Sequence, residues 1–457
     1  MVLYEASTVC LYYINSDPAG KRICRSNPIS QHTDASPDQD TSGSVLDKRL
    51  IVILLIVFVQ LIGAAMVLPI LPLYASREFN MTPTTITLLN TSFFAAQFIA
   101  GPFIGRLSDT YGRVPVLLVS QIGTVIAFLM LGFGQSIWIL FAARILDGIT
   151  GGNIIVAQAY ITDVTKPEDR TKALGYLFAA FGVGFVIGPA VGGILSSTFS
   201  YQTPYIFAAT AAAIVVVLTY LILEETVTDE QKEENKNSGK AGMSFMGVIQ
   251  NIPLVGILVI TFGAQIAFAM LQSTFSLFGE AVLFVDDPER AELGVGLLFA
   301  MVGVGQIVTQ GALLGRLVKR FGDGAVVLIG TIIRSISMFV LVIIAVPLSA
   351  AVTLFLFAMG TGLQMPALQS IITETVPKNQ RGGALGLYQS ANSLAIIVGS
   401  AIAGIIFELD PAMPYIFGGV LFAVMTAPSY LLMQWGRKQK RESDIIANSS
   451  VPAPVGD

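Results

Sequence analysis

Two ionisable residues stand inside an apolar run, in the segment Arg144-Ile145-Leu146-Asp147-Gly148-Ile149-Thr150-Gly151-Gly152. They are three positions apart, so on a helix they share a face and can pair. Charge inside a membrane span is costly, which predicts that both face a bundle interior or water. A carboxylate held there can take up and release a proton, and the bland alternative is an ion pair that only orients its helix. A second group reads Gly105-Arg106-Leu107-Ser108-Asp109-Thr110-Tyr111-Gly112-Arg113. Glycine suits the ends of helices joined by so tight a turn. Asp109 can face a helix N-terminus, and Arg113 can reach a carboxylate such as Asp163. A third group is Gly184, Gly188, Pro189, Gly192 and Gly193. Glycine every fourth residue gives a smooth face for close helix packing, and the proline removes a backbone donor.

Other chemistries are excluded by what is scarce. The one histidine, His32, and both cysteines, Cys10 and Cys24, lie in the N-terminal tail. No zinc spacing, disulfide framework or membrane-embedded histidine site is expected. There is no nucleotide-binding signature, so no ATP drive, cofactor or enzymatic reaction is expected. A net charge of −4 gives no basic excess for nucleic acid.

The elements that must position these residues follow from composition. Hydrophobic residues make up 54% of the 457-residue chain, charged residues only 12%, and mean hydropathy is +0.72. That is about half the charge of a soluble domain. The apolar runs are about 20 residues long, the length of a spanning helix and too long for barrel strands. Twelve spans are predicted between residues 50 and 433, so the fold class is an all-α membrane protein. Residues 137–160 form the fourth span, 173–195 the fifth, 325–346 the ninth and 350–372 the tenth. Asp147 would lie about ten residues, or ~15 Å, from the outer end of its span.

Of the 26 Lys and Arg, 22 fall in segments on one side, only Arg77 and Arg290 on the other, and Arg144 and Arg334 within spans. The positive-inside rule then places both termini in the cytoplasm of an inner-membrane protein. Arg334 has no partner that spacing suggests. The loop between the seventh and eighth spans is external and acidic, with Glu280, Asp286, Asp287, Glu289 and Glu292. Residues 1–49 read as a disordered cytoplasmic tail, compatible with a misplaced start codon, and carry no plausible cleavable signal. A bundle over 50–223, a linker over 224–251, a second bundle over 252–433 and a tail over 434–457 complete the layout.

The two bundles repeat each other. Gly105-Arg106-Leu107 matches Gly315-Arg316-Leu317 and Gly112 matches Gly322, while Ala173-Leu174-Gly175 matches Ala384-Leu385-Gly386 and Gly188 matches Gly399. Two parallel six-helix repeats around a midplane site are the architecture of many secondary transporters. The copy departs at Lys319, where the carboxylate would be, and at Ser400, where the proline would be.

These motifs resemble the major facilitator superfamily. Residues 105–113 are similar to its Gly-x-Leu-x-Asp-x-x-Gly-Arg signature, and Arg144 to the arginine of its Arg-x-x-Gln-Gly signature, with Asp147 standing where Gln is common. Residues 184–193 are similar to Gly-x-x-x-Gly-Pro-x-x-Gly-Gly of its antiporter branches. The stretch from 144 to 193 looks like the twelve-helix drug:proton antiporters, tetracycline exporters among them. The resemblance implies a cytoplasmic latch at Gly105, Asp109, Gly112, Arg113 and Asp163, and proton coupling at Arg144 and Asp147. Those exporters carry an acidic residue in the first helix, where this chain has Gln60, which argues against tetracycline–metal recognition. If the first, fourth, seventh and tenth spans line the cavity, as the resemblance implies, its polar residues are Gln60, Asn153, Gln158, Gln265, Gln272 and Gln364. Amides mixed with methionine suit amphipathic organic molecules. The expected function is proton-driven export of such compounds by a monomer in the lipid bilayer. The alternatives are a proton-coupled importer of the same fold and a non-transporting receptor.

Overall fold

The computed structural model describes residues 48–151, 153–165, 170–227, 251–377 and 381–449. All regular structure among these residues is helical. Most of the expected N-terminal tail and most of the 224–251 linker lie outside the described residues.

The first six expected spans become α1 (Lys48–Phe79), α2 (Pro83–Tyr111), α3 (Arg113–Phe133), α4 (Ile137–Thr150) with α5 (Asn153–Val164), α6 (Arg170–Thr198) and α7 (Thr203–Ile222). The second six become α8 (Ile252–Phe278), α9 (Pro288–Val308) with α10 (Leu314–Phe321), α11 (Asp323–Ile343), α12 (Pro347–Thr375), α13 (Arg381–Leu409) and α14 (Met413–Ser449). Wide π turns follow α8 at Gly279–Leu283 and join α9 to α10 at Thr309–Leu313. Eleven helices among the described residues are long and apolar enough to cross a membrane, and a shorter apolar stretch, Gly182–Thr198, lies in α6. The chain is thus an all-α multi-spanning membrane protein with eleven to twelve apolar helices.

Local chemistry starts and stops these helices. Thr82 accepts from Thr85 N at the head of α2, with Pro83 as the first helical residue. Asn251 does the same for Leu254 N in α8, and Asp287 for Arg290 N in α9. The fourth span tightens near its middle. At Gly151 the amide turns back to Gly148 O at 3.3 Å, a tightened turn that ends α4 before α5 begins. The last helix runs on to Ser449, beyond the expected span end.

Side chains sort as in lipid, with large apolar residues facing outward: Val119 is 70% exposed and Leu348 80%. In the first six spans α1 packs on α6 and α7, α3 on α4 and α7, and α2 on α4. In the second six α8 packs on α13 and α14, α11 on α12 and α14, and α9 on α12. The two sets meet chiefly through α6 against α9 and α2 against α13.

The apolar core is not one body. At the end of the molecule near Arg77 a continuous cluster takes residues from both sets, among them Tyr74, Tyr205, Phe275, Phe299 and Tyr415. At the other end, near Arg113, there are two clusters. One is built around Ile53, Val156 and Leu177 of the first set, the other around Ile257, Val326 and Ile372 of the second.

Candidate transport and coupling site

The buried charges of α4 form the pair that their spacing predicts. Arg144 Nη1 donates to Asp147 Oδ2 at 3.1 Å, with Arg144 4% and Asp147 8% exposed. Arg144 Nη2 reaches Asn90 Oδ1 on α2 at 3.5 Å, and the guanidinium lies 4.2 Å from the centre of the Phe93 ring. A methyl group on Gly148 would strike the backbone oxygen of Phe93, so that glycine lets α2 come close enough to supply both contacts. Asn90 and Phe93 were not foreseeable from spacing, because they lie on a different helix.

The six expected cavity amides have different surroundings. Gln60 and Gln158 are half-buried, and Gln60 Nε2 is buried without a hydrogen-bond partner. Gln265 on α8 donates to Asn392 on α13. Gln272 is buried. Gln364 on α12 accepts from Arg334 and donates to Thr331 Oγ1 at 2.8 Å. The side chain of Asn153 lies outside the described residues. A cavity of about 860 Å³ opens near the Arg113 end, lined in part by Asp323, Glu374, Trp435 and Arg437 of the second set, and none of the six amides lines it.

The expectation that Arg334 lacks a partner is corrected. It is fully buried and donates to Gln364 Oε1 and to Ala264 O. The rings of Phe268, Phe357 and Phe422 surround the guanidinium, their centres 6.0, 4.8 and 4.3 Å away. One residue of α11 therefore contacts α8, α12 and α14. Sequence spacing cannot show a cage whose rings come from three other helices.

Residues 105–113 make a compact ionic cluster. Arg113 donates from Nη1 to Asp109 Oδ1 at 2.6 Å and from Nε to Asp163 Oδ2 at 3.0 Å, tying α2, α3 and α5 together. Gly112 has φ +107°, which a side chain would strain. Gly105 is placed otherwise than expected. It lies within α2, and a Cβ there would have open space around it, so the turn does not need it. The head of α3 is held by Glu225, whose carboxylate accepts from Arg113 N at 2.8 Å and Val114 N at 3.1 Å. Glu225 follows α7, more than a hundred residues later, in what reads as a charged linker.

The glycine face of α6 is shared between two neighbours. A Cβ on Gly188 would lie 2.6 Å from Ala65 Cβ of α1, and one on Gly184 3.1 Å from Leu61 Cβ. One on Gly192 would lie 3.2 Å from Met66 O. Gly193 instead faces the other set: its Cβ would lie 2.9 Å from Glu292 O and 3.3 Å from Gly296 Cα of α9. Pro189 is buried, and its carbonyl lies 2.6 Å from a Cβ built on Gly296.

One cluster was missed. At the mouth opposite Arg113, Arg77 of α1 pairs with Glu280 at 2.6 Å and Glu292 at 3.2 Å, both from the second set. Tyr201, between α6 and α7, donates to Glu292 Oε1 at 2.5 Å and meets Arg77 Nη1. Burial and the Glu292 carboxylate push the Tyr201 hydroxyl well above its ordinary range, so it remains a donor. The signal available in the sequence was an isolated Arg77 facing an acidic loop.

The Major Facilitator Superfamily profile matches residues 53–287 and 288–454. The chain is similar to a class H tetracycline resistance protein of Pasteurella multocida, 30% identical over 84% of this chain and 96% of the relative. It is also similar to multidrug resistance protein 2 of Bacillus subtilis, 28% identical over 87% of this chain and 98% of the relative. Among solved structures, the human organic anion transporter MFSD10 (TETRAN) superposes with a TM-score of 0.61 at 20% identity, covering 84% of this chain and 99% of that one. Its identity is low enough that it speaks for the fold alone. The fold is consistent with a transporter rather than a catalytic enzyme. With nearly the whole membrane region matched, the chain belongs to the Major Facilitator Superfamily and is related to its tetracycline and multidrug resistance members.

Proposed function

We propose that the protein exports small amphipathic organic compounds from the cytoplasm in exchange for protons, by alternating access between two six-helix repeats. The observation that carries this reading is the Arg144–Asp147 pair, a carboxylate 8% exposed within a span. A buried carboxylate can exist charged beside its guanidinium or neutral, so proton occupancy changes the charge of the first repeat. The matching packing partners in the two sets support the repeat. The excess of Lys and Arg in the loops and tails near Arg113 supports placing that end in the cytoplasm. A core continuous near Arg77 and divided near Arg113 then corresponds to a molecule shut to the outside. The names of the relatives favour drug-like cargo and outward transport.

In this cycle, a proton from outside neutralises Asp147, and substrate leaves as the proton is taken up. Asp147→Asn should abolish drug-driven proton movement in everted vesicles while the protein remains folded and inserted. If that variant still dissipates a pH gradient when drug is added, Asp147 is an orienting residue and the coupling lies elsewhere. A wild-type response to sugars or amino acids, with none to amphipathic drugs, would remove the export reading.

A further inference from the structure

We propose that Glu292 is a second proton-binding site, at the outer mouth, and that its occupancy unlatches the two six-helix sets. This rests on the orientation and proton exchange proposed above. The argument starts from which set each partner belongs to. Arg77 and Tyr201 come from the first set, Glu280 and Glu292 from the second. The contacts Arg77–Glu280, Arg77–Glu292 and Tyr201–Glu292 therefore all cross between sets. Any motion that opens this mouth must break or stretch them.

Glu292 is placed where that motion begins. Its backbone oxygen lies against Gly193 at the crossing of α9 and α6, where the glycines bring the two sets together. Its side chain is 9% exposed. Its two oxygens are used unequally. Oε1 accepts from both Arg77 and Tyr201, whereas Oε2 is buried with no hydrogen-bond partner. A buried carboxylate oxygen without a donor is a vacant place for a proton. A proton from outer water would add to Oε2, forming neutral glutamic acid and breaking no other bond. The Arg77–Glu292 attraction would then lose its charge, and the Tyr201 hydrogen bond would fall to neutral strength. Of the charged contacts that cross between the sets here, Arg77–Glu280 would remain.

Among the described residues, the other groups around Glu292 are few. Arg77 faces it from α1, where Glu78 is the next residue and Tyr74 stacks on Tyr201 with ring centres 6.2 Å apart. Tyr201 faces it from the α6–α7 connection, and Glu280 from the π turn after α8. On its own helix Arg290 is exposed and pairs with Asp287. At this end α6 and α12 carry no titratable side chain.

The test follows the distance across the mouth in the full chain, in lipid nanodiscs without drug. Cys10 and Cys24 are replaced by Ser, and spin labels are placed at Phe199 and Val285, exposed positions of the first and second sets. The inter-label distance should lengthen as pH falls. Glu292→Gln should hold it long at every pH. Tyr201→Phe keeps every charge but removes a donor to the ionised form, so it should move the midpoint to higher pH. An unchanged pH response in Glu292→Gln or an unmoved midpoint in Tyr201→Phe would each overturn the proposal. Should the Gln variant fail to fold, Tyr201→Phe decides alone. A Glu292-dependent shift in a protein that shows no drug-driven proton movement would sink the transport reading and leave the latch standing.

Discussion

Arg334 and Arg144 meet the same problem in different ways. Each is a guanidinium removed from water inside a helical bundle. Arg144 has a carboxylate on its own helix, one turn away. Arg334 has an amide, a carbonyl oxygen and three aromatic faces, and no carboxylate within ion-pair distance among the described residues. Cation–π attraction is worth about 2 kcal/mol per desolvated ring, less than a buried charge loses with its hydration. Removing the charge with its shape kept should therefore be mild, and stranding it severe. Arg334→Met should keep or raise the melting temperature in detergent. Gln364→Leu, which leaves the guanidinium without its side-chain acceptor, should cost about 1.5–3 kcal/mol. If Gln364→Leu melts like wild type, the amide is not what holds Arg334.

At the scale of elements, α6 distinguishes packing within a set from packing between sets. Gly188 abuts α1, and Gly193 abuts α9. Gly188→Val should destabilise the first set itself, by about 1–3 kcal/mol, because a backbone would have to move. Gly193→Val should leave the first set folded but force α6 and α9 apart, seen as label access at the Arg77 mouth with little loss of melting temperature. Equal losses of stability would show that α6 does not divide its faces in this way. This division also shows what could be read in advance. The glycine periodicity marked α6 as a close-packing helix, and the apolar runs marked nearly every span, because both signals are local. Which neighbour meets each glycine is set by tertiary contact, as are Glu225 at the head of α3 and the rings around Arg334. The tightened turn at Gly151 was legible in principle, since glycines stand at 151 and 152, but hydrophobicity alone runs through them. Pairing of Arg113 with Asp163 was within reach because a long cation and a nearby carboxylate on the same side leave few other partners.

For the whole molecule, the telling feature is the core that is shared at one end and split at the other. Each set has its own apolar cluster near Arg113, and the two are fastened near Arg77 by α6 on α9, α2 on α13 and the Arg77–Glu292 contacts. The chain should therefore be severable within 228–250. Residues 1–238 and 239–457, co-expressed as separate polypeptides with a tag on one, should purify together and move substrate. Either fragment alone should present a bare α6 or α9 face and be degraded. If the pair does not associate, the fastening at the Arg77 end is too weak to act as a hinge. If it does, the protein is in effect a heterodimer of two six-helix subunits that happen to be encoded as one chain.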